Sequence, residues 1–129
     1  PKITPTILVH ANEPNANPLL DFLESNEKLR HLPEDVTVLP SHNQPFTGLH
    51  TRLDYYITHH EERLETVLAA CDEALNGLEV AGALFPQDLD IYGKFFATGE
   101  AMSHIRYLEY EGKLKRSNDA DGIERYQRI

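Results

Sequence analysis

The sequence predicts an α+β fold in two parts, with a helix, a short strand and a long helix leading into further helices and a β-hairpin. Three patterns predict it. Apolar side chains recur at Leu49, Leu53, Ile57, Leu64, Val67, Leu68, Cys71 and Leu75, a spacing that keeps one helical face buried over many turns. The β-branched run Val36-Thr37-Val38-Leu39 lies between Glu34-Asp35 and Pro40, which suits a short buried strand. The segments 113–116 and 123–126 flank Ser117-Asn118-Asp119-Ala120-Asp121-Gly122, whose turn-forming residues predict a hairpin tip.

Taken in order, residues 1–16 hold three prolines, with Ile3 and Ile7-Leu8-Val9 as the apolar content, so the segment is expected to be extended, with at most one short edge strand. Asn17-Pro18 reads as an N-cap followed by the first helical position, and Leu19, Leu20, Phe22, Leu23 and Leu29 supply the face of a helix to about His31, with Pro33 as its stop. The long helix from Leu49 is expected to end at Asn76-Gly77, where Gly can take the left-handed conformation. A short helix then covers 79–85 and breaks at Pro86. A further helix starts near Leu89 and carries Phe95, Phe96, Met102, Ile105 and Leu108 to Glu111-Gly112. Helices followed by a two-stranded hairpin form the pattern of a winged helix. The expected core of residues 63–129 is Leu68, Leu84, Phe96, Ile105 and Leu108.

With 40% hydrophobic and 26% charged side chains among 129 residues, the composition is that of an ordinary globular chain of one or two small domains. No apolar run approaches the roughly 18 residues that would span a bilayer, and no signal peptide is visible, so a cytoplasmic location is expected. The single cysteine, Cys71, lies on the apolar stripe and reads as a small buried hydrophobe. A net charge of −9 repels polyanions.

The stretch from Val36 to Leu53 carries the sharpest functional signal: an apolar run ends on Pro40, presents His42 on a Pro-punctuated loop, and continues through Gly48-Leu49-His50-Thr51-Arg52-Leu53 into a helix. It resembles the last histidine motif of the metallo-β-lactamase-fold hydrolases. Tyr55-Tyr56-Ile57-Thr58-His59-His60-Glu61-Glu62-Arg63-Leu64 is similar to the stretch that leads into the small winged-helix domain of one branch of that superfamily, the beta-lactamase-like protein 2 type. The resemblance runs from about residue 15 to the C-terminus. The superfamily's His-x-His-x-Asp-His cluster has no counterpart here, and the sequence opens at Pro1, so the chain is expected to be the C-terminal piece of such a hydrolase. On this reading residues 1–62 end the hydrolase domain and 63–129 are the winged helix. Glycines usual on both sides of the histidine are replaced by Ser41 and Asn43. Asn tolerates a positive φ, so the turn is expected to persist.

The resemblance implies that His42 is one ligand of a two-metal zinc site that is incomplete in this chain, with no catalytic and no other cofactor-binding residue here. In such sites paired ions, roughly 3.5–4 Å apart, activate a water that attacks an ester, thioester or phosphodiester. The implied substrate is a small molecule or RNA. A lone imidazole does not hold zinc, since catalytic sites use about three protein ligands, so this chain alone is expected to be inactive. His59 and His60 are adjacent on a helix and point about 100° apart, so they cannot chelate one ion together. His60 and Arg63 are expected to tie the long helix to its surroundings, Arg52 to be solvated beside Asp54 or Glu62, and His50 to support the His42 loop. Glu61, Glu62 and Glu65 read as a solvated helix face. Phe95, Phe96, Tyr107 and Tyr110 read as core.

The rival reading is a non-catalytic winged-helix module for protein or nucleic-acid interaction. Its recognition helix, residues 97–111, would offer phosphate Arg106 and His104 against Glu100, Glu109 and Glu111. The wing adds Lys113, Lys115, Arg116, Arg125 and Arg128, interspersed with Asp119, Asp121 and Glu124. Specific DNA binding is therefore not expected. If residues 1–48 normally complete a larger body, Leu19, Phe22, Leu23 and the Val36–Leu39 strand lack the sheet they should pack on, and the piece is expected to self-associate through its N-terminal third.

Overall fold

In the computed structural model, which describes residues 4–129, Asn17 caps the first helix as its sequence suggests. Its side-chain oxygen accepts from the Leu20 N–H at 3.4 Å, and Pro18 fills the first position of α1 (Pro18–Glu27), where a missing N–H costs nothing. The helix ends one turn before His31, and residues 28–32 continue as turns ahead of Pro33. Ile3 lies outside the described residues. The segment 4–16 before the helix forms no strand; it runs as a strap whose Val9 N–H reaches the Gly99 carbonyl at 3.4 Å.

The predicted strand at Val36–Leu39 is reduced to one bridge. Val38 exchanges two hydrogen bonds with Phe46, at 2.8 and 3.1 Å, and Leu39 is 78% exposed. Toward the loop tip, the next hydrogen-bonded pair would be Pro40 with Gln44, and Pro40 lacks the N–H it would need.

The second helix, α2 (Leu49–Ala70), begins at Gly48, whose φ of 98° is open only to glycine at low cost. Gly48 offers no capping side chain, and Glu34 takes that role from a distant turn. Its carboxylate accepts from the His50 N–H at 2.6 Å and the Thr51 hydroxyl at 3.0 Å, placing negative charge at the positive end of the helix. The helix stops at Cys71, short of the expected Asn76-Gly77. Those two residues begin α3 (Gly77–Leu84) instead. Asn76 accepts from the Glu79 N–H at 2.9 Å while the Glu79 carboxylate accepts from the Asn76 N–H at 3.1 Å, a reciprocal capping box.

Asp90 caps α4 (Ile91–Tyr110), which gives way at Gly112 to β1 (Leu114–Asn118) and β2 (Glu124–Arg128). The strands pair antiparallel from Leu114↔Arg128 to Asn118↔Glu124. Asp119 closes the turn by accepting from the N–H groups of Asp121 and Ile123. A bridge between Leu75 and Tyr126 fastens the hairpin to the segment after α2.

The core lies where α2, α3, α4 and the hairpin meet, around Val67, Cys71, Val80, Ala101, Ile105, Leu108 and Tyr126. Cys71 is fully buried, and burial pushes its thiol up to about 11, which suits the inert role expected of it. Helix α4 is the central rod. It contacts α1, α2, α3 and β1, and residues 103–106 are buried all the way round. In the N-terminal third, Leu19 is fully buried, Ile7 is 7% exposed and the Phe22 ring meets Tyr56 and His60 edge-on, while Leu39 stays open to solvent. No helix of the described residues is long and apolar enough to cross a membrane.

Candidate functional site

His42 sits on the exposed tip of the loop that the Val38–Phe46 bridge closes, and the turn is held by Asn43, whose φ of 70° is the one non-glycine positive value among the described residues. The left-handed turn expected after His42 is thus present, with Asn supplying what glycine usually does. The loop overlooks a cavity of about 500 Å³ between the strap at Thr4–Thr6, the end of α1 and the first turns of α2. Arg52, Tyr56 and Asn26 also line it, and the Asn26 amide nitrogen is buried without a hydrogen-bond partner among the described residues. The cavity therefore offers an imidazole, a guanidinium and a spare amide donor. Among the described residues, no three His, Cys, Asp or Glu side chains gather into a metal site. An exposed imidazole on a fixed turn fits the part of one ligand in a site completed by other groups, and does not make a site alone.

His50 does not reach this loop. Its Nε2 lies 2.8 Å from the Leu32 carbonyl and its Nδ1 3.5 Å from Glu34, so it braces the turn before the loop. Asp54 pairs with Arg30 at 2.6 Å, and the Arg52 guanidinium stacks over Tyr55 and Tyr56 at 4.7 and 4.6 Å.

The second cluster joins α2 to α4. The His104 Nδ1 lies 2.8 Å from the Glu100 carbonyl oxygen, which can only accept, so Nδ1 carries the proton and Nε2 is bare. That bare nitrogen is 3.1 Å from the His60 Nδ1, which must then be the donor. His60 Nε2 is consequently a bare lone pair, buried and with no partner among the described residues. Burial first, then the neighbouring His104, hold His60 down to about 3; burial likewise holds His104 down to about 4, against the Glu100 hydrogen bond. Both rings are neutral across the physiological range. His59 faces away and accepts from the Arg63 Nε at 3.1 Å, while the Arg63 guanidinium lies 4.7 Å over Phe85. His60 and Arg63 do tie α2 to its surroundings, but His104, which the sequence offers to phosphate, is fully buried. The signal for this lies in the spacing: Leu53, His60 and Val67 recur every seven residues, and Ala97, Ala101, His104, Ile105 and Leu108 share one face of α4.

The face expected to approach phosphate is likewise internal. Arg106 is 3% exposed; it donates to the Pro14 carbonyl at 2.6 Å and pairs with Glu109, which also holds Arg116. On the hairpin, Arg125 is bound by Asp119 and Glu79, and Arg128 lies near Asp72. Phe95 and Phe96, expected in the core, are 68% and 49% exposed, and Tyr110 is 63% exposed with its hydroxyl on the Asn15 carbonyl. In the core, Ile105 and Leu108 take their expected places, Leu68 and Leu84 pack at its edge, and Phe96 does not take part.

Residues 64–129, half of the chain and the part that holds the end of the long helix, the closing helices and the hairpin, match the family described as Metallo-beta-lactamase-like, C-terminal domain, and the chain belongs to that family. Two solved structures extend the likeness over nearly its whole length. A beta-lactamase domain protein from Burkholderia ambifaria is 38% identical over 98% of this chain, with a TM-score of 0.95. A metallo-beta-lactamase family protein from Thermus thermophilus is 30% identical over 99% of it, with a TM-score of 0.82. This chain spans 38% of the length of each. No curated protein matches it significantly.

Proposed function

We propose that this chain is the carboxy-terminal part of a metal-dependent hydrolase, to which it lends His42 as one metal ligand. The observation that carries the reading is the setting of that residue: an exposed imidazole on a turn fixed by Asn43, above a cavity, in a chain of this family. Zinc is the metal the family suggests, as a two-metal site whose ions would supply an activated water for attack on an ester, thioester or phosphodiester of a small molecule or RNA. The role of His42 is to present a neutral nitrogen from a position that the backbone cannot easily vary. Residues 1–62 belong to the hydrolase body in this reading. Residues 63–129 form a winged-helix unit that covers the body and shapes the substrate entrance; the order of helices and hairpin, and a family match that begins at residue 64, support that division. Specific DNA readout is left out, because Arg106 and His104 are buried and Arg116, Arg125 and Arg128 already face carboxylates. The cytoplasm is the proposed location, in keeping with one free buried thiol.

The chain by itself should show no metal-dependent turnover of generic ester, thioester or RNA substrates with zinc, manganese or iron. Turnover that vanishes in His42→Ala would reveal ligands elsewhere in these residues. In a longer protein containing this chain, His42→Ala should lose bound metal and more activity than the roughly 10–100-fold that removal of an outer supporting residue costs. Unchanged metal content and turnover would exclude His42 as a ligand.

A further inference from the structure

An apolar groove lies away from His42, along the first half of α4, and has a volume of about 800 Å³, within the range of small-molecule sites. Its floor is one helical face, Ile91, Phe95, Gly99 and Met102, which spans about 16 Å at 1.5 Å per residue. The strap closes one side. Leu8 lies so near Gly99 that a Cβ there would meet its Cδ2 at 2.8 Å, so the close approach depends on glycine. Leu78, Ile91, Phe95 and Phe96 are 58%, 79%, 68% and 49% exposed, a contiguous apolar surface of the kind that marks a binding site.

The charges along the groove say what fits it. In a chain with 21 acidic against 12 basic side chains, the ionisable groups lining this groove are Lys94 and His10, and no carboxylate lines it. Asp90, one turn before Lys94, is engaged as the helix cap by the Gly93 N–H at 2.7 Å. Lys94 forms no ion pair among the described residues. From this elongated apolar floor with a cation at its edge, we propose that the groove binds a linear alkyl chain ending in an anionic group, of the class of a medium-chain carboxylate, with the chain along Ile91–Met102 and the anion at Lys94. The site does not depend on the hydrolytic reading and needs no metal.

Titration of the 129-residue chain with dodecanoate below its micelle concentration, by calorimetry or displacement of a fluorescent probe, tests it. One saturable site per chain is expected. Phe95→Asp and Ile91→Asp should each weaken binding about tenfold or more, the loss expected for one apolar contact. Both side chains are exposed, so thermal unfolding should hardly move. Lys94→Glu should weaken dodecanoate but not its uncharged methyl ester, and Tyr55→Ser, outside the groove, should change neither. Non-saturating uptake, equal binding by the Phe95 and Ile91 variants, or a dimer in sedimentation that Phe95→Asp dissolves would each overturn the proposal.

Discussion

At the scale of single residues, the buried His60–His104 pair makes a directional statement about pH. The fold holds both imidazoles below the ordinary histidine value, to about 3 and about 4, so the native state resists protons that the unfolded chain accepts near pH 6.5. Stability is therefore complete above about pH 6.5 and falls as the pH drops towards the folded values, by about 1.4 kcal/mol per pH unit for each imidazole. Urea unfolding at pH 7, 6 and 5 should show that slope, and His60→Gln or His104→Gln should flatten it. An unchanged slope in both variants would mean that other groups carry the acid sensitivity. The pair is legible in part from the sequence, since His60 falls in the seven-residue recurrence of Leu53 and Val67. Its partner is not, because nothing local brings residues 60 and 104 together.

At the scale of elements, caps decide where helices begin, and they are written in short words of sequence. Asn76-Gly77-Leu78-Glu79 can be read as the end of one helix or the start of the next. The reciprocal bonds between Asn76 and Glu79 select the start, because they satisfy two backbone donors that the first turn leaves open. Asn76→Ala should cost about 1 kcal/mol, measured by chemical denaturation, and Asn76→Ser little. Equal loss in both would point to packing in place of capping. The strand at Val36–Leu39 is cut short for the complementary reason: β-branched residues favour extended backbone, but a ladder also needs donors, and Pro40 removes the next one toward the loop.

At the scale of the whole molecule, α4 is enclosed by α1, α2, α3 and β1, which explains both kinds of misplaced residue on it. A helix surrounded at its centre buries His104 and Arg106, which a one-faced reading offers to phosphate, and its uncovered first half exposes Phe95 and Phe96, which the same reading assigns to the core. Self-association through the N-terminal third remains a proposal with a narrower basis, since Leu19 and Phe22 have found partners and Leu39 beside the open bridge has not been covered. Sedimentation at rising concentration should show association that Leu39→Lys abolishes. A strictly monomeric chain would mean that this edge is inert.

The local punctuation was the sequence's own contribution: Asn17-Pro18, the helix beginning at Gly48, the turn from Asp119 to Gly122, and the left-handed Asn43 after His42 each depend on a few neighbouring residues and stand where the chemistry of those residues puts them. The same is true of the motif that pointed to the metallo-β-lactamase-like family. Tertiary structure alone decided which side of α4 is inside, that Glu34 caps a helix from a separate turn, that two histidines 44 residues apart are joined by a buried hydrogen bond, and that an apolar groove stays open beside the strap. Burial is a property of what surrounds an element, and periodicity can report only that some face is covered, not how many neighbours cover it.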